Sequence, residues 1–140
     1  MEIKVQKLPK WASMPNKANV FDAGWDLYAS DDAVIEPTKI ELIGTDIALG
    51  IPEGYVGLIW DRSGMAAKRG IPRFAGVIDS GYRGEIKVCL WNSSEEFCVI
   101  NKGDKIAQIL FQPVPHFALT EASGLTPTDR GSGGFGSSGT

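Results

Sequence analysis

The residues with chemical potential gather in a few Gly-rich turns. In Gly76-Val-Ile-Asp79-Ser-Gly-Tyr82-Arg83-Gly84-Glu85 an apolar strand delivers a carboxylate into a tight turn, with an aromatic and an arginine three and four residues on. One reading is a β-hairpin whose Asp79 caps the turn, a common use of aspartate. The other is a carboxylate held rigidly beside an aromatic face, suited to orienting a water and taking its proton as general base. Asp61-Arg62-Ser63-Gly64-Met65-Ala66 opens the one segment with helical character. Ser63 there is either a helix cap or part of an anion site at the helix start. Gln108 interrupts the alternating run Gly103–Phe111. It is either a satisfied core amide or a donor to a phosphate at the strand edge.

Charge narrows these readings. Four of the five arginines, Arg62, Arg73, Arg83 and Arg130, lie in or beside the Gly-rich turns. The chain as a whole has a net charge of −3 and a pI near 5.1. An anionic ligand must therefore be held locally, by clustered arginines or a metal ion, and a broad electrostatic nucleic-acid surface is disfavoured. The sole histidine, His116, sits in a surface-like proline segment, which excludes His-rich metal sites and paired histidine catalysts. Cys89 and Cys98 form no CxxC pattern, arguing against structural zinc or a disulfide framework and fitting a reducing compartment.

Short strands must position these residues. A chain of 140 residues that is 43% hydrophobic makes one domain with a real core, and 17 glycines and 8 prolines impose many turns. Alternation and turn signals predict strands at Ile3–Lys7, Leu27–Ala29, Ala33–Glu36, Lys39–Ile43, Asp46–Gly50, Tyr55–Trp60, Ala75–Ile78, Glu85–Trp91, Phe97–Ile100 and Lys105–Pro113. Ser63–Lys68 is the only credible helix, stopped by Gly70, and Asn101–Asp104 reads as a hairpin connection. This pattern specifies an all-β sandwich or barrel. No run is long and apolar enough to span a membrane, and MEIKVQKLPK lacks the apolar stretch of a signal peptide.

Thr126–Thr140 differs from the rest. Its composition suits a flexible linker, but Arg130 and Phe135 are costly choices in a linker and useful in an arm that closes over a ligand. Arginine forks onto phosphate, phenylalanine stacks on a ring, and glycine lets backbone N–H groups approach anionic oxygens. The predicted organisation is a β domain over 1–125 and an arm over 126–140.

Taken together, these segments resemble the trimeric dUTPase family over nearly the whole chain. The five family motifs occur in order as Ala23-Gly-Trp-Asp26-Leu-Tyr-Ala29, Asp61-Arg62-Ser63-Gly64-Met-Ala66, Gly76-Val-Ile-Asp79-Ser-Gly-Tyr82-Arg-Gly-Glu85, Gly103-Asp-Lys-Ile-Ala-Gln108 and Arg130-Gly-Ser-Gly-Gly-Phe135-Gly-Ser-Ser138-Gly139. The resemblance implies a jelly-roll subunit, a homotrimer with active sites shared between subunits, and hydrolysis of dUTP to dUMP and pyrophosphate with Mg²⁺ on the triphosphate. It implies that Asp79 activates the attacking water and that Asp26 holds the metal's waters. Arg62, Ser63, Gly64 and Gln108 would contact phosphates. Backbone at Phe74, Gly76, Val77 and Ile78 would read uracil, with Tyr82 under the deoxyribose and Glu85 completing the substrate-binding motif. In the arm, Arg130, Ser137 and Ser138 would meet the γ-phosphate, Phe135 would cover the base, and Gly136 would also bind substrate. A cytoplasmic enzyme is implied, or one inside the host cell if viral, supplying dUMP for dTMP synthesis.

Three positions depart from the family pattern. Asp61 stands where proline is usual, and it either pairs with Arg62 or points away. Arg73 replaces a small polar residue near the uracil hairpin, and Ser138 replaces threonine with its hydroxyl kept. The alternatives are a dCTP deaminase, possibly bifunctional, a nucleotide-gated binding module, or a structural jelly roll. Deamination would require a glutamate about where Cys89 stands, and the structural reading leaves Arg62, Asp79, Gln108 and the arm unexplained.

Overall fold

β-Branched residues and frequent turns give short antiparallel strands. The computed structural model describes residues 1–139. Its strands are β1 (Lys4–Lys7), β2 (Trp25–Tyr28), β3 (Ala33–Ile35), β4 (Ile40–Gly44), β5 (Ile47–Gly50), β6 (Tyr55–Trp60), β7 (Arg73–Phe74), β8 (Val77–Ile78), β9 (Lys87–Trp91), β10 (Cys98–Ile100) and β11 (Lys105–Pro113). They form a four-stranded sheet β2-β11-β6-β8, a three-stranded sheet β4-β9-β7, and the pairs β1-β5 and β10-β3. This is the expected all-β, jelly-roll-like architecture with very little helix. Ile35, Ile47, Ile86, Ile100, Ile106 and Ile109 are fully buried between the layers. Each such side chain contributes roughly 1.5–3 kcal/mol of apolar burial.

Register explains where chemistry can gather. Gln108 of β11 lies opposite Asp26 of β2 on one side and opposite Trp60 of β6 on the other. Three strands thus place Asp26, Gln108 and the start of Asp61-Arg62 in one row. β8 pairs with β6 through Gly57↔Ile78 and Leu58↔Val77, so Asp79 leaves toward the beginning of β6. Arg62 leaves from its end. Five residues from Gly57 to Arg62, at about 3.3 Å each, set the two regions apart by on the order of 16 Å.

Three sequence expectations are corrected. The expected strand Ala75–Ile78 shrinks to β8 (Val77–Ile78), because Ala75 has φ 59° and Gly76 φ 120°, and the unforeseen β7 before this elbow joins a different sheet. Asn101–Asp104 is a turn but no hairpin: β10 pairs with β3 while β11 pairs with β2 and β6. Ala29 bonds across it, donating to Asp104 O and accepting from Gly103 N–H, which steers the chain between sheets. The expected helix is a single π-helical turn, Gly64–Lys68.

Beyond β11 the chain leaves the body. Val114 N–H donates to Gly54 O at 2.7 Å, and the backbone bonds that follow are local, such as Gly131 to Thr128 and Ser137 to Gly134. Phe117, Leu119 and Leu125 are more than four-fifths exposed.

Candidate functional site

The row across β2, β11 and β6 opens into a groove of about 360 Å³, lined by Gly24, Asp26, Arg62, Ser63, Lys105 and Gln108 among others. Asp26 is its electrostatic centre. One carboxylate oxygen lies 3.1 Å from Arg62 Nε and the other 2.9 Å from Lys105 Nζ. Its side chain is only 14% exposed, so these pairs are less screened than surface pairs. Asp22 stands at the rim with its carboxylate bonded by Asn19. Gln108 Nε2 donates to Asp61 O at 2.8 Å, so the amide is anchored while still facing the groove. A side chain at Gly24 would collide with that amide and displace it from the groove. Ser63 makes no capping bond with its hydroxyl, so the helix-cap reading fails and the group is free at the groove. Gly64 begins the π turn with open space beside it.

Sequence reasoning missed Lys105. Strict alternation puts residues 105 and 108 on opposite faces, but the pairing of β11 with β2 shifts register between Lys105 and Ala107. Such an irregularity resets which face a side chain meets. No periodicity would have revealed it.

The hairpin is a separate region. Its elbow, Ala75-Gly76, is secured by Ile59 N–H donating to Gly76 O at 2.8 Å and Arg73 Nη1 donating to Ala75 O at 2.6 Å. A Cβ on Gly76 would stand 2.9 Å from Ile59 O, so backbone approach demands glycine. The neighbouring Phe74 is 46% exposed, with its ring 5.8 Å from that of Trp91. Val77 is exposed and Ile78 half-buried on β8. Tyr82 N–H donates to Asp79 O, and the Tyr82 hydroxyl donates to Glu85 O at 2.9 Å. Arg83 Nη1 donates to Ser80 O and Tyr82 O, bracing the turn. The turn is therefore closed by the Asp79 carbonyl and not by its carboxylate, which is exposed and accepts no hydrogen bond among the described residues. The Glu85 carboxylate points elsewhere, accepting Asp46 N–H at 3.1 Å and lying 3.6 Å from Lys87 Nζ. In one chain the Glu85 side chain thus supports the β4–β5 corner.

Asp61 does not pair with Arg62. Its carboxylate accepts Arg73 N–H at 2.8 Å and lies 3.8 Å from Arg73 Nε, leaving Arg62 to Asp26. In the tail, Arg130 Nε donates to Gly133 O, and Phe135 is fully exposed with φ 50°. Gly136, Ser137 and Ser138 are likewise exposed. One chain thus brings Asp26, Arg62, Ser63 and Gln108 together, but brings neither the hairpin residues nor the arm to them. No group of three or more His, Cys, Asp or Glu among the described residues could cage a metal. The groove balances the carboxylates Asp22 and Asp26 against Arg62 and Lys105, and a hard carboxylate such as Asp26 fits Mg²⁺ reached through water.

Fold and groove define an all-β protein with a polar, charged groove across β2, β11 and β6. A family model described as dUTPase matches residues 10–139. The deoxyuridine 5′-triphosphate nucleotidohydrolases of Corynebacterium glutamicum and Fowlpox virus are each 46% identical, over 98% and 99% of this chain and 94% and 97% of their own lengths. The human mitochondrial protein of the same name is 40% identical over 99% of this chain and 55% of its own. A Staphylococcus bacteriophage 80alpha dUTPase solved with dUpNHpp superposes with a TM-score of 0.90 at 31% identity, covering 99% of both chains. The dUTPase of phage phi11 of S. aureus, in a mutant structure describing coordination of a structural Mg(II) ion, gives 0.83 at 30% identity over 89% of this chain and 98% of that one. The chain belongs to the dUTPase family, the deoxyuridine 5′-triphosphate nucleotidohydrolases. Among the described residues no helix is long and apolar enough to cross a membrane.

Proposed function

We propose that the chain hydrolyses dUTP to dUMP and pyrophosphate in sites assembled from more than one copy. The observation that carries this reading is the groove where Arg62, Ser63, Lys105 and Gln108 converge on Asp26, in a member of this family. Arg62 forks onto phosphate oxygens, Ser63 and Gln108 donate to them, and the Gly64 backbone approaches closely. Phe74, Gly76, Val77 and Ile78 present backbone groups to uracil, and Tyr82 packs against the deoxyribose. Asp79, with no internal partner, takes the proton of the water that attacks the α-phosphorus, and pyrophosphate leaves. When bound, Mg²⁺ on the triphosphate would neutralise charge and favour attack, with Asp26 holding its waters. Arg130, Gly136, Ser137 and Ser138 grip the γ-phosphate and Phe135 covers the base, excluding water.

The separation along β6 supports a shared site, because one chain cannot bring Asp79 to a phosphate held by Arg62. The exposed Phe117, Leu119 and Leu125 also call for burial against another copy. A homotrimer meets both needs, operating in the cytoplasm or a host cell and supplying dUMP. The test is pyrophosphate release from dUTP beside dCTP, UTP and dTTP, with light scattering of the same sample. Release from dUTP by a particle of about three times 15.1 kDa is expected. Ammonia release from dCTP would favour the deaminase, and a fully active monomer would overturn the shared site.

A further inference from the structure

Lys105 enters the groove through the irregularity in β11. It lies opposite Tyr28, two residues along β2 from Asp26, and the shifted register then sets Gln108 opposite Asp26 itself. Positions two apart on a strand share a face, so the lysine and the glutamine meet the same side of β2. Lys105 Nζ lies 2.9 Å from one Asp26 oxygen, and Arg62 Nε lies 3.1 Å from the other. Among the described residues neither cation pairs with a second carboxylate.

The sum of these charges decides what the groove attracts. One carboxylate and two cations leave a local balance of +1 around Asp26, and Asp22 at the rim brings the whole groove to neutrality. A hydrated divalent cation approaching Asp26 alone meets repulsion from both cationic neighbours, at a carboxylate that is mostly buried and so weakly screened. A triphosphate reverses the sum, because its own negative charge exceeds what the two cations neutralise. Arg62 is held through Nε, which leaves the fork of its Nη groups for phosphate. Lys105 carries one ammonium on a flexible stem, and its side chain is 41% exposed, so it can turn from carboxylate to phosphate.

We infer that Lys105 is a positioning residue that occupies Asp26 in the nucleotide-free protein, keeps a lone divalent cation out of the groove, and turns to the triphosphate when it arrives, so that metal and substrate enter together. This rests on the groove being the phosphate site proposed above, but the measurements that test it need no turnover. Lys105 takes no part in the chemical step.

The first measurement titrates the nucleotide-free full chain with Mn²⁺, a paramagnetic substitute for Mg²⁺, by electron paramagnetic resonance. Lys105→Met removes the charge but keeps an unbranched side chain, and should bind Mn²⁺ about tenfold or more tightly than wild type. Lys105→Arg keeps the charge and should stay within about twofold of wild type. Adding Asp26→Asn to Lys105→Met should abolish the gain, which assigns it to this carboxylate. The second measurement is calorimetry with inorganic triphosphate in the presence of a chelator. There Lys105→Met should bind about tenfold or more weakly than wild type, the range for losing a hydrogen bond to a charged group. Unchanged Mn²⁺ affinity in Lys105→Met overturns the inference, as does a gain that survives Asp26→Asn. So does an equal gain in Lys105→Arg, or metal-free triphosphate affinity that Lys105→Met leaves unchanged. Should Lys105→Met fail to fold, Lys105→Gln is read in its place by the same criteria. If both shifts appear while wild type releases no pyrophosphate from dUTP, the functional reading fails and the role of Lys105 stands.

Discussion

The groove and the hairpin solve opposite problems. In the groove every charged group is already committed: Asp26 holds Arg62 and Lys105, and Gln108 is tied to Asp61. At the hairpin the backbone is braced by Arg73, Ile59 and Arg83, yet the one carboxylate at its tip has no partner. A binding region profits from preorganised charge, whereas a general base must keep its lone pairs for water. On the proposed reading, affinity is held beyond the end of β6, at Arg62, and chemistry at the hairpin tip, where Asp79 lies toward the beginning of that strand.

The sharpest way to break this comparison is Asp79→Asn. It should lower kcat by roughly 10²–10⁴-fold while leaving KM for dUTP equal or lower, measured by pyrophosphate release. An equal loss of affinity would mean that the hairpin binds phosphate too. Deleting residues 130–140 tests a third contribution. Turnover should fall on the order of 10²-fold, yet dUMP, which lacks the γ-phosphate, should bind nearly as before by calorimetry. Wild-type turnover in that variant would reduce the tail to a linker.

Arg62→Ala should show the complementary signature. KM should rise roughly ten- to hundredfold, the range for losing a hydrogen bond to a charged group, with a smaller change in kcat. Mixed with Asp79→Asn subunits, it should regain activity, because an intact groove and an intact hairpin can then meet in one site. Absence of any rescue would place both regions in a single chain. The smallest effect is expected away from both regions. Burial raises the Cys98 thiol above its ordinary range, with Arg69 opposing. The unfolded chain therefore ionises first, and stability should decline as pH climbs from the ordinary thiol range toward the raised value. Thermal melts across that range, compared with Cys98→Ala, would detect it.

Much of this was legible in the residues. Tyr55–Trp60 and Lys105–Pro113 match β6 and β11 to the residue, because alternation and flanking turns agree there. The polar row was readable only as residue types, because Ser63 could also have capped a helix and Gln108 could have been a satisfied core amide. What escaped depends on three-dimensional register. An alanine at positive φ leaves no compositional mark, so the break between β7 and β8 was hidden. Lys105 was concealed by a shift in β11, and the Asp61–Arg73 contact joins residues twelve positions apart across a turn. Distance between groove and hairpin is likewise a property of strand pairing and not of any motif.

β6 carries a further consequence. Gly57 lies midway along it, and a side chain there would press within 2.9 Å of Ile51 and 3.1 Å of Ile109. In the proposed trimer the groove at one end of the strand and the hairpin at the other serve different sites. A shift of this single strand would then be felt by two neighbouring sites at once. In evolutionary terms the strand is pleiotropic: a substitution at Gly57 is judged twice over, and its freedom to drift is correspondingly small.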